Sequence, residues 1–261
     1  MDQIKELIRE FSEIPEVESI ALGGSRASKR NDENSDYDLY CYVTEEISPD
    51  VRKNILQKYC NYMEINNQYW ETEDDCTLNN GIVIEIIYRS ITELNEMIKN
   101  VVKKANANNG YTTCMWDNLL HCEILYDRGH NLQDMKKKYS IPYPDKLRDN
   151  IINKNLELLD GYIPSYTKQI EKALERDDII SVNHRITEFL ASYFDIIFAV
   201  NRKTHPGEKR LIKLCKDQCE LLPIDFEENL RELLTVNQSK DQMMNTVNKI
   251  IMNLKKLIKD N

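Results

Sequence analysis

Glycine and proline are scarce in this sequence, with seven of each among 261 residues. That scarcity excludes collagen-like and Pro/Gly-rich disordered chains, and the 41% of hydrophobic residues is enough to bury a core. Positively charged residues are also fewer than negatively charged ones. The sequence has 35 Lys and Arg and 44 Asp and Glu, which gives a net charge of −9. This balance argues against a standing affinity for duplex nucleic acid, but an acidic cleft would attract a small cationic substrate.

The sequence also lacks paired cysteines and long apolar runs. Its seven cysteines are odd in number and show no CxxC spacing, which indicates free thiols in a reducing compartment rather than disulfides or a zinc site. No apolar run approaches the roughly 20 residues that a membrane span requires. The charged amphipathic start, MDQIKELIREF, is unlike a signal peptide. We therefore expect a cytoplasmic protein with no membrane partner.

Hydrophobic periodicity divides the chain into two parts. Helical spacing alternates with short strand-like runs up to about residue 143, the clearest strands being 18–22, 37–43 and 81–88. The segment IPYP at 141–144 cannot continue a helix, and only helical periodicity follows it. The sequence therefore predicts an α/β (α+β) fold: a mixed-sheet domain over 1–143 and an all-α helical bundle over 144–261.

Individual helices and one ambiguous region follow from the same patterns. Helices are predicted near 2–13, 49–59, 91–104, 111–121, 132–139, 146–175 (with a break near Pro164), 179–201, 208–221, 225–236 and 239–259. A short strand is predicted at 123–126. Residues 60–80 are ambiguous, and their pattern indicates pieces of strand and loop.

A glycine pair ends the first predicted strand. Gly23, Gly24 and Ser25 follow the run ESIAL and precede a possible helix start. Glycines let the backbone approach a ligand closely, and exposed N–H groups favour a phosphate, to which the Ser25 hydroxyl can add a hydrogen bond. Gly-Gly-Ser also occurs in ordinary turns, so its surroundings decide its meaning.

Two carboxylates open the second predicted strand. Asp36 and Asp38 are two residues apart, and residues i and i+2 of a strand project from the same face. Like charges side by side repel unless a cation lies between them, and Mg²⁺ prefers carboxylate and phosphate oxygens. A solvated strand edge is the alternative explanation.

A third acid, Glu85, stands inside the aliphatic run IVIEII. Its neighbours predict a central strand covered on both faces. A buried carboxylate needs a partner, because desolvating its charge is costly. That partner is either an arginine, such as Arg89 or Arg26, or metal ions shared with the two aspartates.

These features together resemble a known family. The segment GGSRASKRNDENSDYDLY, residues 23–40, is similar to the pattern of the polymerase-β-like nucleotidyltransferase superfamily: Gly-Gly-Ser, a spacer near ten residues, then Asp-x-Asp. Within it the chain resembles bacterial aminoglycoside and lincosamide nucleotidyltransferases. The segment FDIIFAVNRKTHPGEKRL, residues 194–211, resembles a helical domain of unknown function, DUF4037.

The resemblance implies Mg²⁺-dependent chemistry, with two ions expected. It implies that Asp36 and Asp38 bind the metal and that Gly24 and Ser25 hold the β- and γ-phosphates. The third acidic position falls on Glu85. Many relatives carry Asp there, and because Glu is one methylene longer, Glu85 is either a metal ligand or a general base for the acceptor hydroxyl.

Further residues are candidates for nucleotide contact. Gly23 belongs to the turn itself, and Arg26 follows it closely enough to touch a phosphate or form a surface ion pair. Lys209 lies in a basic cluster, 202–210, at a predicted helix start, where a cation opposes the helix dipole. We expect Lys209 to reach the triphosphate across a cleft between the domains; solvated charge is the alternative.

Candidates for the acceptor pocket lie between residues 111 and 121. They are Tyr111, Trp116, Asp117 and His121. Trp116 fits a core position better than a pocket, and Asp117 is an alternative base.

We therefore expect a nucleotidyltransferase that moves AMP from ATP to a hydroxyl of a small molecule, an antibiotic of the aminoglycoside or lincosamide kind being one candidate, and releases pyrophosphate. A protein AMP-transferase, antitoxin-like, is the alternative within the enzyme class. A nucleotide-binding sensor or pseudoenzyme is the alternative outside it.

Overall fold

The computed structural model describes residues 2–27, 35–161, 164–235 and 239–261, except for the side chains of Asp2 and Ser25. The chain forms two compact units. The first comprises Met1–Lys99 and Met115–Ile141, and the second comprises Asn100–Cys114 and Pro142–Asn261. The periodicity did not indicate that residues 100–114 belong with the helical unit. The boundary between residues 143 and 144 stays a prediction.

Six strands form the sheet of the first unit. They are β1 (Val17–Leu22), β2 (Tyr37–Val43), β3 (Cys60–Asn67), β4 (Thr72–Leu78), β5 (Val83–Arg89) and β6 (Glu123–Asp127). The strand order is β3-β4-β5-β2-β1-β6, with β2 and β5 parallel and the other neighbouring pairs antiparallel. A mixed sheet followed by helices confirms the predicted fold class.

Helices lie near the predicted positions throughout this part of the chain. They are α1 (Asp2–Ser12), α2 (Gly24–Ala27), α3 (Pro49–Leu56), α4 (Ile91–Val102), α5 (Cys114–His121) and α6 (Asn131–Tyr139). Pro49 is the first residue of α3, where its missing N–H costs no hydrogen bond.

Residue alternation gives the sheet one apolar face. Leu39, Ile84 and Ile86 are buried in an apolar cluster that also contains residues of α1 and α3. β5 is an interior strand, but the prediction that both its faces are covered is wrong. On the second face Val83 is 38% exposed and Glu85 is half-buried.

The ambiguous segment 60–80 is the hairpin of β3 and β4. A buried ion pair anchors it to α3: Arg52 Nη1 donates to Asp74 Oδ1 at 2.8 Å, and the two side chains are 1% and 0% exposed. Tyr88 Oη donates to the other carboxylate oxygen, and the Asn66 backbone N–H donates to Oδ1, both at 2.8 Å. Arg52 also donates to the Asn66 side chain.

The second unit is built from helices. They are α7 (Asp145–Asp160), α8 (Tyr166–Glu175), α9 (Ile179–Val200), α10 (Leu211–Gln218), α11 (Phe226–Leu233) and α12 (Lys240–Asp260). The predicted helix at 146–175 is divided between α7 and α8, with Pro164 between them. α9 is buried continuously from Ala191 to Val200 and forms the centre of this unit.

A buried carboxylate lies within α9. Asp195 is 1% exposed and accepts hydrogen bonds from the backbone N–H and hydroxyl of Thr112 and from Asn155 Nδ2, at 3.0, 2.6 and 3.2 Å. Asn155 Oδ1 in turn accepts from the Gly110 N–H. These bonds fix segment 100–114 to the helices of its own unit.

The structure also bears on the expectations about cysteines and membranes. All seven cysteines are free thiols. Across the described ranges, no helix has the length and apolar character that crossing a bilayer requires.

Candidate active site

The glycine turn follows β1 directly. Gly23 N donates to the Asp38 carbonyl at 2.8 Å, which ties the turn to β2, and Ala27 N donates to the Gly23 carbonyl at 3.2 Å, which closes α2. The backbone of Ser25 lies within α2, but its side chain is outside the described part of the structure, so its predicted phosphate contact stays a prediction.

Gly24 packs against a predicted metal ligand. Its φ is +60°, which L side chains adopt at a cost, and a Cβ built on it would lie 1.7 Å from Asp38 Oδ2. Glycine is therefore required here both by backbone conformation and by contact. The turn is held so that its backbone lies directly beside the Asp38 carboxylate.

Asp38 and Glu85 are register partners on the parallel strands β2 and β5. Paired positions of adjacent strands project from the same face, so both carboxylates are on the face opposite Leu39 and Ile86. The two arginines considered as partners of Glu85 make other contacts in the structure. Arg89 forms a bidentate ion pair with Glu71 at 2.6 and 2.5 Å, and Arg26 binds backbone carbonyls.

Asp36 lies just before β2 and is exposed, two residues ahead of Asp38. In the part of the chain that is described, no three His, Cys, Asp or Glu side chains are arranged to hold a metal ion among themselves. The structure thus brings Asp38 and Glu85 together as neighbours. The convergence of Asp36 on the same ions stays a prediction.

Arg26 holds the start of β2. Its Nε donates to the Ser35 and Asp36 carbonyls at 2.8 and 3.1 Å, its Nη2 donates to the Ser35 carbonyl, and its guanidinium lies 4.0 Å from the centre of the Tyr37 ring. The sequence did not indicate this anchoring. It fixes the backbone that carries Asp36, while phosphate contact by Arg26 stays a prediction.

Two residues near the turn, Tyr40 and Asn118, were missed by the sequence reasoning, and Arg89 was considered only as a partner of Glu85. Tyr40 is two residues beyond Asp38 on the same face, and its hydroxyl accepts from Asn118 Nδ2 at 2.8 Å. The Arg89 guanidinium lies 4.5 Å from the Tyr40 ring centre. The alternation of β2 could have placed Tyr40 beside the acids, but contacts from β5 and α5 have no local sequence signal.

The candidates for the acceptor pocket have different surroundings. Trp116 is 2% exposed and donates to the Tyr139 carbonyl at 2.9 Å, as expected of a core residue. His121 Nδ1 lies 3.2 Å from Asp117 Oδ1, and this hydrogen bond raises the pKa of His121. Tyr111, which belongs to the second unit, is 38% exposed.

Lys209 also belongs to the second unit. The sequence placed the start of the next helix at residue 208, but α10 begins at Leu211 after Arg210, whose φ is +59°. The cationic cluster therefore precedes the helix rather than opening it. The contact of Lys209 with a triphosphate stays a prediction.

Two family models match the chain. Residues 4–107 match the model described as a nucleotidyltransferase domain, and residues 113–211 match the one described as a domain of unknown function, DUF4037. The first match contains the glycine turn, Asp36, Asp38 and Glu85. The chain is a nucleotidyltransferase, with a nucleotidyltransferase domain in its N-terminal part and a DUF4037 domain in the part that follows.

The solved structures to which the chain is similar are distant in sequence. A nucleotidyltransferase-like protein from Exiguobacterium sibiricum is 12% identical, with a TM-score of 0.47 over 98% of this chain and 75% of its own. An aminoglycoside 6-adenyltransferase from Bacillus subtilis is 13% identical, with a TM-score of 0.34 over 100% and 90% of the two chains.

A spectinomycin adenyltransferase from Enterococcus faecialis, solved with ATP and spectinomycin, is also 13% identical, with a TM-score of 0.32 over 97% of each chain. No curated protein matches the chain by sequence. Likeness at this level assigns no substrate to this chain.

Proposed function

We propose that this nucleotidyltransferase transfers AMP from ATP, with Mg²⁺, to a hydroxyl of a small-molecule acceptor and releases pyrophosphate. The observation that carries the proposal is the placement of Asp38. Its carboxylate has the Gly24 backbone on one side and the register partner Glu85 on the neighbouring strand. A triphosphate that binds at the turn through its phosphates therefore lies beside two carboxylates.

The side chains present fit Mg²⁺ by their chemistry. The donors are carboxylate oxygens, which this hard ion prefers, and Mg²⁺ is commonly held by one or two carboxylates together with substrate phosphates and water. The pair Asp38 and Glu85, with Asp36 exposed just ahead, supplies that number without a three-residue protein cage. When bound, the metal neutralises charge on the triphosphate.

The residues of the chain account for the remaining requirements of the transfer. The glycine turn binds the phosphates, and the paired carboxylates define where the α-phosphate and the acceptor oxygen meet. The acceptor oxygen bonds to the α-phosphorus. The bond between the α-phosphorus and the oxygen that bridges to the β-phosphate breaks, and pyrophosphate leaves with that oxygen. Glu85 is either a metal ligand or the group that accepts the hydroxyl proton.

ATP labelled at the α-phosphate tests both the reaction and the acceptor class. Purified protein with Mg²⁺ is incubated with aminoglycosides, lincosamides and a small-molecule fraction of cell lysate, and separately with lysate proteins. We expect label in a small molecule, dependent on Mg²⁺, with an equal amount of pyrophosphate. Label in a protein band would replace the small acceptor by a protein. Nucleotide binding without label transfer to any acceptor would contradict the enzymatic proposal.

A further inference from the structure

The Tyr40 side chain fills the space beneath the glycine turn. A Cβ built on Gly23 would lie 2.2 Å from Cε2 of the Tyr40 ring, so the bare glycine backbone rests on the ring itself. The φ of Gly23 is not in the left-handed region, unlike that of Gly24. The Tyr40 ring, and not backbone conformation, is therefore what excludes a larger residue at position 23.

Contacts on its remaining sides hold the ring in place. The Arg89 guanidinium lies 4.5 Å from the ring centre, and Asn118 Nδ2 donates to the hydroxyl at 2.8 Å. Arg89 is fixed in turn by its bidentate pair with Glu71, and its side chain is only 11% exposed. The ring cannot shift without breaking one of these contacts.

The hydroxyl of Tyr40 points to Asn118, whose Nδ2 donates to it at 2.8 Å. Tyr40 is 9% exposed. Its contribution to the site is therefore the shape and position of the ring.

We propose that Tyr40 is a positioning residue whose ring, held by Arg89 and Asn118, sets the position of the Gly23–Gly24 turn beside Asp38. The position of the turn in turn sets the affinity for the nucleotide phosphates. This inference rests on the proposed function. A hydrogen bond from Gly23 N to the Asp38 carbonyl ties the turn to β2. The Tyr40 ring contacts the turn at Gly23, and removing the ring leaves a cavity into which the turn can move.

A double-mutant cycle tests this arrangement through the equilibrium binding of Mg²⁺-ATP without acceptor. Tyr40→Ala is expected to raise Kd about tenfold, equivalent to 1.4 kcal/mol. Tyr40→Phe keeps the ring and loses only the Asn118 bond, so its Kd stays within about twofold of wild type. Tyr62→Ala is the matched control, because Tyr62 is a tyrosine of β3 that is 57% exposed and donates its hydroxyl hydrogen bond to Glu64.

The second arm of the cycle is Gly23→Ala. Its added methyl group collides with the Tyr40 ring, so this change weakens binding in wild type and weakens it less when Tyr40 is already alanine. Such coupling is not expected of two residues with independent structural roles. If Tyr40→Ala fails to fold by circular dichroism, Tyr40→Leu, which fills the core without a planar ring, replaces it in the same cycle.

Each outcome separates the two proposals. Wild-type protein that does not bind Mg²⁺-ATP overturns the proposed function. Wild-type binding with an unchanged Kd in folded Tyr40→Ala or Tyr40→Leu overturns the inference alone. Strictly additive effects of the changes at positions 23 and 40 overturn it as well. A weakened Tyr40→Ala, a near-normal Tyr40→Phe and a reduced Gly23→Ala effect in the double variant support it.

Discussion

Replacing Arg52 by methionine should destabilise the first unit severely. The change keeps an unbranched side chain in the core but leaves the Asp74 carboxylate, 0% exposed, without its cation. Burial already raises the pKa of Asp74, and it is the largest of several effects, ahead of the opposing hydrogen bonds and the Arg52 charge. Loss of Arg52 removes compensation that the buried charge needs.

The magnitude follows from the burial of the pair. Removing one partner of a buried ion pair costs about 3–5 kcal/mol. Asp74 retains its bonds from Tyr88 and Asn66, so the loss should fall near the lower end, about 3 kcal/mol. With a urea dependence of about 2 kcal/mol per molar, the unfolding midpoint should fall by about 1.5 M.

Tryptophan fluorescence reports this transition selectively, because both tryptophans, Trp70 and Trp116, belong to the first unit. Arg9→Met is the matched control. It breaks an ion pair with Glu6 whose side chains are 64% and 53% exposed, and it should cost less than about 1 kcal/mol. Midpoints that fall equally in Arg52→Met and Arg9→Met would refute the reasoning.

Two further perturbations test the buried acid and the turn. Burial raises the pKa of Asp195 to about 6, so the native state holds the proton longer than the unfolded state does. Its contribution to stability is therefore greatest below about pH 4 and declines by about 3 kcal/mol as pH rises through 6. Urea unfolding followed by circular dichroism should show this decline in wild type relative to Asp195→Asn, and parallel curves would contradict it. Gly81→Ala should lose about 1–2 kcal/mol, because Gly81 has a positive φ and a Cβ on it meets nothing within 4 Å, and Gly24→Ala should lose more, because its Cβ also collides with Asp38. Only Gly24→Ala should also weaken Mg²⁺-ATP binding, since its Cβ displaces Asp38; equal binding by the two variants would be evidence against that role.

Much of the fold could be predicted because its patterns are local. The alternation of β2 and the helical spacing of α1 and α9 are readable in short windows, and their bounds differ from the predicted ones by a few residues at most. The β3–β4 hairpin could not be read in this way. Its segment has Asp74 at an inward position, and that burial depends on the distant Arg52 together with hydrogen bonds from Tyr88 and Asn66.

The candidate site could likewise be predicted where its signals are local, but not where it depends on residues far apart in sequence. The glycine turn and the two aspartates were visible as a motif, and Glu85 stood out as a lone acid among aliphatic residues. The pairing of Asp38 with Glu85 depends on the parallel register of β2 and β5, which are far apart in sequence. Arg89, which sequence reasoning had considered as a partner for Glu85, forms an ion pair with Glu71, a contact that has no local sequence signal.

Pyrophosphate release with saturating Mg²⁺-ATP and an acceptor tests the central claim most directly when Asp38→Asn is compared with Asp75→Asn. Asp75 is the matched control, because it is the register partner of Glu85 on the other neighbouring strand and accepts a hydrogen bond from Asn67. We expect Asp38→Asn to abolish release, since the proposed metal site loses one of its charged ligands, and Asp75→Asn to retain it. Pyrophosphate release by folded Asp38→Asn at the wild-type rate would contradict the account.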